Sequence, residues 1–470
     1  MPFFEQVENI FRIRELRRKV LITVMLLAVC RIGCYIPAPG IDPKGLANLF
    51  KGAVGDTTGA GAFLGWINLF TGGALSNGAI FALGVMPYIS ASIIFQLLAS
   101  VVPSLERLKK EGESGYRKIN QYTRIATVFI CLFQGALLIR ALYPLGVISD
   151  EITQSTWKSM TFSFTNGFVL MTGTMFLMWL GEQIEEHGIG NGISLIIMIN
   201  ILDRLPSAIM QIVQNIRIAE SQQTALLKIS LMVVLFVIVV MAIVYITQGE
   251  RRIPVQQAKH VRGPKVYGGQ KHYLPLKVNQ AGVMPLIFAS ALLQFPAMIA
   301  GSAVQALAER KDSLWYKFFF FVQESTSPTG AGTTLRYAIL YGAFIFFFCY
   351  FWTAIMFNPK EMSENLKDHG SFIPGIRPGP RTAEYLEQIM NRVTLAGSFF
   401  LIAIAMMPML VMSMLRVDWR VSSFYGGTSI LIVVGVALDA MNRVNQHLEM
   451  QRYSGFAAGA AGRRRLRRRR

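Results

Sequence analysis

Ten apolar segments, each long enough to cross a bilayer, leave this chain few ways to fold. They run roughly over residues 20–37, 78–102, 122–143, 163–182, 190–213, 226–247, 282–306, 336–357, 393–414 and 428–446. A helical span needs about 20 mostly apolar residues, and inside lipid only helices and closed barrels satisfy every backbone polar group. Hydrophobic residues make up 53% of the 470 and charged ones 16%, where soluble domains carry about 25% charged. The chain therefore reads as an all-α integral membrane protein. The first segment is expected to stay in the membrane, because it lacks a small-residue cleavage site and further spans follow.

One apolar stretch does not fit that pattern. Ala60 to Leu75 (AGAFLGWINLFTGGAL) is too short and too rich in glycine for a span, yet a full-length segment begins directly after it. Irregular backbone at membrane depth is tolerated only where protein buries it or where it lines a water-filled cavity. The stretch points to a hole through the membrane and to something that occupies it.

Charge sets the expected orientation. Lys and Arg, 46 in all, concentrate in residues 1–19, in alternate loops and in the carboxyl-terminal GRRRLRRRR, giving a net charge of +19. The positive-inside rule puts both termini and the even-numbered loops in the cytoplasm. Ten spans with both ends on one side divide as five plus five, so two similar halves would be inverted copies. The expected parts are residues 1–213, residues 214–448 and a basic tail, 449–470.

Chemistry of the enzymatic kind is missing from the motifs. The glycines of Gly188–Gly192 (GIGNG) open a membrane segment, with no preceding strand to make a nucleotide fingerprint. No Walker lysine, HExxH or GxSxG occurs. Cys30, Cys34, Cys131 and Cys349 all fall inside spans, and no histidine completes a metal site around them. No metal or other cofactor is expected. Arg31, Arg140 and Asp439 are candidate ionisable residues for ion coupling within spans, and none forms an evident acid pair or proton relay.

Two loops are too large for simple turns. Residues 249–280 hold strand-like arms around the basic turn Arg262-Gly263-Pro264-Lys265, the pattern of a projecting β-hairpin. Residues 358–392 contain Phe372 to Gly379 (FIPGIRPG), whose Pro-Gly punctuation fixes a tight turn and presents Arg377. Within the spans, Val85 and Ile89 share one helix face, as do Ile193 and Ile197. Spacing alone makes these ordinary packing residues.

Several long motifs together resemble the SecY family, the channel subunit of the bacterial protein translocon. They are Phe70–Leu75 (FTGGAL), Ile80–Leu98 (IFALGVMPYISASIIFQLL), Lys109–Thr123 (KKEGESGYRKINQYT), Gly188–Ile197 (GIGNGISLII), Tyr267–Gln270, Leu274–Asn279 (LPLKVN), Phe372–Gly379 and Gly426–Val434 (GGTSILIVV). The resemblance implies two inverted five-helix halves around an hourglass pore. It implies an apolar ring of Val85, Ile89, Ile193, Ile197, Ile287 and Ile432, which would dewet and block ions. It implies a re-entrant plug helix at about 59–75, with Phe63, Leu64, Trp66, Ile67, Leu69 and Phe70 as its apolar residues and Gly72 and Gly73 as its hinge. Ser90, Gln134 and Asn279 match polar positions of a lateral gate.

By the same resemblance, Arg251, Arg252, Lys259, Arg262, Lys265 and Arg377 would dock the SecA ATPase and the ribosome, through ribosomal RNA and protein at its exit site. Many relatives carry paired arginines where this chain has Pro264 and Lys265. The other implied partners are the small subunits SecE and SecG, signal sequences, nascent polypeptides and membrane lipid. The implied location is the bacterial plasma (inner) membrane. A passive channel of this kind competes with two other readings of ten spans: a secondary transporter, and a membrane-anchored scaffold that binds ribosomes without conducting.

Overall fold

The computed structural model describes residues 13–53, 68, 71–143, 147–148, 156–203, 205–206, 210, 222–257, 260–262, 265–267, 271–307, 312–326, 334–415 and 427–467. Each of the ten apolar segments overlaps a helix. Those helices are α1 (Arg14–Gly33), α3 (Met86–Val101), α5 (Glu113–Leu142), α6 (Thr156–His187), α7 (Gly192–Leu202), α8 (Gln222–Gln248), α9 (Met284–Ala306), α11 (Thr334–Met356), α13 (Pro380–Leu415) and α14 (Gly427–Arg467). Shorter helices lie between them: α2 (Pro43–Ala53), α4 (Pro103–Lys110), α10 (Leu314–Thr326) and α12 (Pro359–Asp368).

Among the described residues, five helices are by themselves long and apolar enough to cross a membrane, and a sixth crossing is available if α3 and α4, bent by 96°, count as one. Of the other apolar helices, α1 carries Arg17, Arg18 and Lys19 near its start, α7 has only 11 residues, and α9 contains Pro296. The second segment starts later than its hydropathy suggests. Residues 78–85 are turns apart from Ala79, which bridges to Pro37; Gly84 adopts φ +58° and Pro87 stands in the first turn of α3, where its missing N–H costs nothing.

The chain condenses into two compact units. One comprises Met1–Asp56, Leu64–Leu205 and Val436–Arg470, the other Thr57–Phe63 and Pro206–Gly435. In the first, α5 packs along α6, which also receives α1, α3 and α7. A Cβ on Gly135 of α5 would stand 3.1 Å from the Cα of Gly167 on α6. Small residues at that crossing let the two backbones approach, as membrane helices without a hydrophobic drive between them require. Leu75, Leu83, Cys131, Ile139, Leu142 and Leu170 form the adjoining core.

The second unit packs α9, α11 and α13 together with α8 around Ile243, Leu286, Ala289, Ile345, Leu401 and Leu431. The opposite face of α8 leaves Val233, Val234, Val237, Ile238 and Met241 exposed. A continuous apolar face of that kind suits lipid and would be a liability in water.

Beyond the membrane helices this unit carries a small sheet. Strand β1 (Glu250–Gln257) pairs antiparallel with β4 (Lys271–Lys277), in register Ile253↔Leu274 and Val255↔His272. Between them β2 (His260–Arg262) pairs with β3 (Lys265–Tyr267) to form the tip. A third strand, β5 (Ser371–Phe372), joins the free edge of β1 at Gln256↔Phe372. The sheet rests on Phe357, Leu386 and Met390 through Ile253, Val255, Leu276 and Ile373. Leu386 is fully buried there. Leu386→Ala should therefore destabilise this packing by about 2–5 kcal/mol, and limited proteolysis of the 250–277 hairpin should accelerate accordingly.

Candidate functional site

The six positions that the resemblance assigns to a ring share one structural feature: each lies within the first two turns of its helix. Val85 caps α3 and Ile89 follows one turn on, its N–H donating to the Val85 carbonyl at 3.1 Å. Ile193 and Ile197 open α7, whose N-cap Asn191 accepts from the Ser194 N–H at 3.0 Å. Ile287 is in the first turn of α9, and Ile432 in the second turn of α14. Positive-φ glycines stand just before three of these starts, at Gly84, Gly190 and Gly282. Val85, Ile197, Ile287 and Ile432 are all buried, at 2 to 7% exposure, while Ile89 and Ile193 are half-buried. Four of the positions belong to the first unit and two to the second. In the first unit α3 and α7 both pack on α6, and Ile193 lies directly over Gly181 of α6.

The glycine-rich stretch is described only in part. Phe63, Leu64, Trp66, Ile67, Leu69 and Phe70 lie outside the described residues, whereas Gly72 and Gly73 lie within them with φ of +60° and +86°. From Thr71 to Val85 the chain is non-helical yet well satisfied. Gly73 N–H reaches the Asn68 carbonyl at 3.1 Å, and the Asn68 side chain accepts from the Ser76 N–H at 3.1 Å. Ala38 N–H donates to Gly78, and Ile80 N–H donates to Ile36, at 2.7 and 2.9 Å. Ala74, Leu75 and Ala79 are buried completely or nearly so. Much of this buried irregular backbone is thus paired, which is the condition for its survival away from water.

Arg31 belongs to the same place. Its Nη2 pairs with Asp203 Oδ2 at 2.5 Å. Its Nη1 donates to the Gly72 carbonyl and to Asn200 Oδ1, each at 3.4 Å. Arg31 thus has a carboxylate partner that the reading of the ionisable residues did not name. Asn200 and Asp203, three residues apart and so neighbours on the helix surface, were the available signal at the end of the fifth segment.

Ser90 on α3, Gln134 on α5 and Asn279 ahead of α9 are each half-buried. The helices α3 and α5 pack together, but no hydrogen bond joins Ser90 to Gln134 among the described residues. Asn279 follows the end of β4, where the Val278 carbonyl is seated against Gly397 of α13.

Among the basic residues, exposure is described for Arg251, Arg252 and Arg377. Arg251 and Arg252 are exposed on β1, with Arg252 Nη2 2.8 Å from Glu250 Oε1. Arg262 and Lys265 face each other across the β2–β3 pair, and Lys259 lies outside the described residues. Arg377 is exposed, and among the described residues it makes no ion pair. Its loop is held firmly. Thr382 Oγ1 donates to the Arg377 carbonyl at 2.9 Å, Ser363 Oγ donates to the Gly379 carbonyl at 2.6 Å, and β5 fixes the other end. The tie through β5 was not legible, since two residues are too few to show strand periodicity.

These features define a class: a multi-pass helical membrane protein with apolar residues in the opening turns of its helices, buried irregular backbone held by hydrogen bonds, and a small sheet that carries exposed arginines. The SecY family model matches residues 79–441. The chain is 43% identical over 439 residues to the protein translocase subunit SecY of Vibrio cholerae, covering 93% of each, and 42% identical over 439 residues to that of Escherichia coli K12, with the same coverage. With the Thermotoga maritima subunit it shares 40% over 453 residues, 96% of this chain and 97% of that one. Its fold is similar to a solved protein-conducting channel (TM-score 0.61, 16% identity) and to Sec61 in a canine ribosome–channel complex from the endoplasmic reticulum (0.58, 16%), covering 92% of each chain. The chain belongs to the SecY family, whose members are protein translocase subunits and not enzymes.

The hydrogen bonds around Arg377 carry a test. Thr382→Val keeps the side-chain volume and removes the hydroxyl, so a bond of roughly 1 kcal/mol is lost. Amide exchange across residues 372–379 should accelerate about fivefold or more, while exchange within α11 stays as it was.

Proposed function

We propose that this chain forms the pore through which unfolded secretory polypeptides cross the membrane and from which transmembrane segments leave sideways into lipid. Residues 1–213 and 214–448 act as the two inverted halves, and residues 449–470 as a basic tail attracted to anionic lipid or RNA. The observation that carries this reading is the common placement of Val85, Ile89, Ile193, Ile197, Ile287 and Ile432 in the opening turns of their helices, apolar and poorly exposed. A constriction of branched apolar side chains dewets and stops ions. It offers a passing polypeptide no fixed polar partner, and its side chains can close around the chain.

On this reading the segment of about 59–75 is the plug below the ring. Ser90, Gln134 and Asn279 bias the lateral gate toward closure with hydrogen bonds worth about 1 kcal/mol each in lipid, weak enough for an inserted apolar helix to displace. The channel is passive. Its push comes from the SecA ATPase or a translating ribosome docked on Arg251, Arg252, Lys259, Arg262, Lys265 and Arg377. Contact with ribosomal RNA would be phosphate-directed and would weaken with salt. SecE and SecG complete the assembly, which resides in the bacterial plasma membrane with both termini in the cytoplasm, as the basic loops favour.

Two measurements test the proposal. Ile197→Ser, reconstituted with its partner subunits in lipid vesicles, should raise ion leakage through the resting channel at least about tenfold, the equilibrium effect of roughly 1.4 kcal/mol. A vesicle as tight as wild type would sink the ring. Arg377→Glu should lower SecA-driven export by about tenfold or more, as expected for a reversed docking charge, without altering resting leakage. Export at wild-type rates would remove Arg377 from the platform.

A further inference from the structure

We infer that Arg31 is a positioning residue of the closed pore: its guanidinium clamps the backbone at Gly72, and through it the turn leading into α3, onto the end of α7. The inference rests on the channel reading, because α3 and α7 carry Val85, Ile89, Ile193 and Ile197.

Three elements distant in sequence meet at this one side chain. Arg31 belongs to α1, Gly72 to the irregular segment, and Asn200 and Asp203 to the end of α7 and its C-cap. The side chain is 18% exposed and its carboxylate partner 36%. A guanidinium so far withdrawn from solvent persists only when it is paired and hydrogen-bonded. Here Nη2 takes the carboxylate of Asp203, Nη1 takes the two oxygens of Gly72 and Asn200, and the Tyr35 ring lies 5.7 Å from the guanidinium carbon. Only a planar fork with several N–H groups makes these contacts at once; an ammonium is a single point charge.

The other side of the contact is equally fitted. A Cβ on Gly72 would lie 2.8 Å from Arg31 Nη1 and 2.9 Å from the Asn200 Cα, at a φ of +60° that side chains resist. Glycine is what lets the backbone carbonyl come close enough to be held. Broken from either side, the clamp would free the 71–85 turn from α7, and the two ring-bearing helices would lose their common reference.

The test uses the full chain with its partner subunits, reconstituted in vesicles, with resting ion conductance per reconstituted channel as the readout. Arg31→Lys keeps a charge for Asp203 and gives up the fork, and Gly72→Ala intrudes from the opposite side. Each should raise resting conductance about tenfold, the change in equilibrium that one lost charge-assisted hydrogen bond carries. The double variant should leak no more than the worse single one, since both break the same contact. Asn200→Ala, which removes one acceptor, gives the same test if Arg31→Lys does not accumulate.

A purely structural role would lower the yield of folded protein and leave conductance per channel unmoved, which overturns the inference. Additive leaks in the double variant overturn it as well. If Ile197→Ser leaks while the clamp variants stay tight, the clamp falls and the channel reading stands; if none leaks, both fall.

Discussion

The pairing of backbone that is not helical, buried where water does not serve it, governs the first unit. From Thr71 to Val85 the chain gives up the self-sufficiency of a helix. It recovers its hydrogen bonds from its own turns, from Ile36 and Ala38, and from a guanidinium. Each unsatisfied group there would cost several kcal/mol, so the segment exists only because the surrounding helices are arranged to supply partners. The rest follows from that need: α1 ends beside the segment, α3 begins where it stops, and α7 closes over it with Asn200 and Asp203.

The second unit meets a different demand. Its apolar helices project polar, basic structure into water, and that structure must keep its shape without a large core. It does so by reuse. Long helices extend past the apolar region so that Phe357, Leu386 and Met390 form a floor for the sheet. Side-chain hydroxyls of Ser363 and Thr382 then fix the Arg377 loop. The exposed Arg377 therefore stands on a loop that is ordered in advance.

Much of this was legible from patterns that repeat along one stretch of chain. Apolar length marked the helices, and alternation around Gly263-Pro264 marked the β1–β4 hairpin. Local punctuation also explains the late start of α3, since Gly84 and Pro87 mark it although hydropathy alone does not. The ring is another matter: Ile193 and Ile197 look like any packing pair, and only the resemblance singled them out. The Arg31–Asp203 pair and the β5–β1 tie were hidden for a plainer reason. Both join residues far apart in sequence, and no periodicity within a single segment encodes a partner that distant.

That β5 is so short, and arrives so late, has a consequence for assembly. The β1–β4 ribbon can close as soon as its own residues emerge, because its pairing is local. Its third strand is delivered only after α9, α10, α11 and α12 have been made, and long-range pairing of this kind is slow to form. A newly synthesised chain therefore carries an incomplete platform while its later spans are still entering the membrane. Completion of the sheet at Gln256 and Phe372 therefore waits for α9 to α12 but for neither α13 nor α14: the hairpin and the Arg377 loop can become one body before the last two long helices are made.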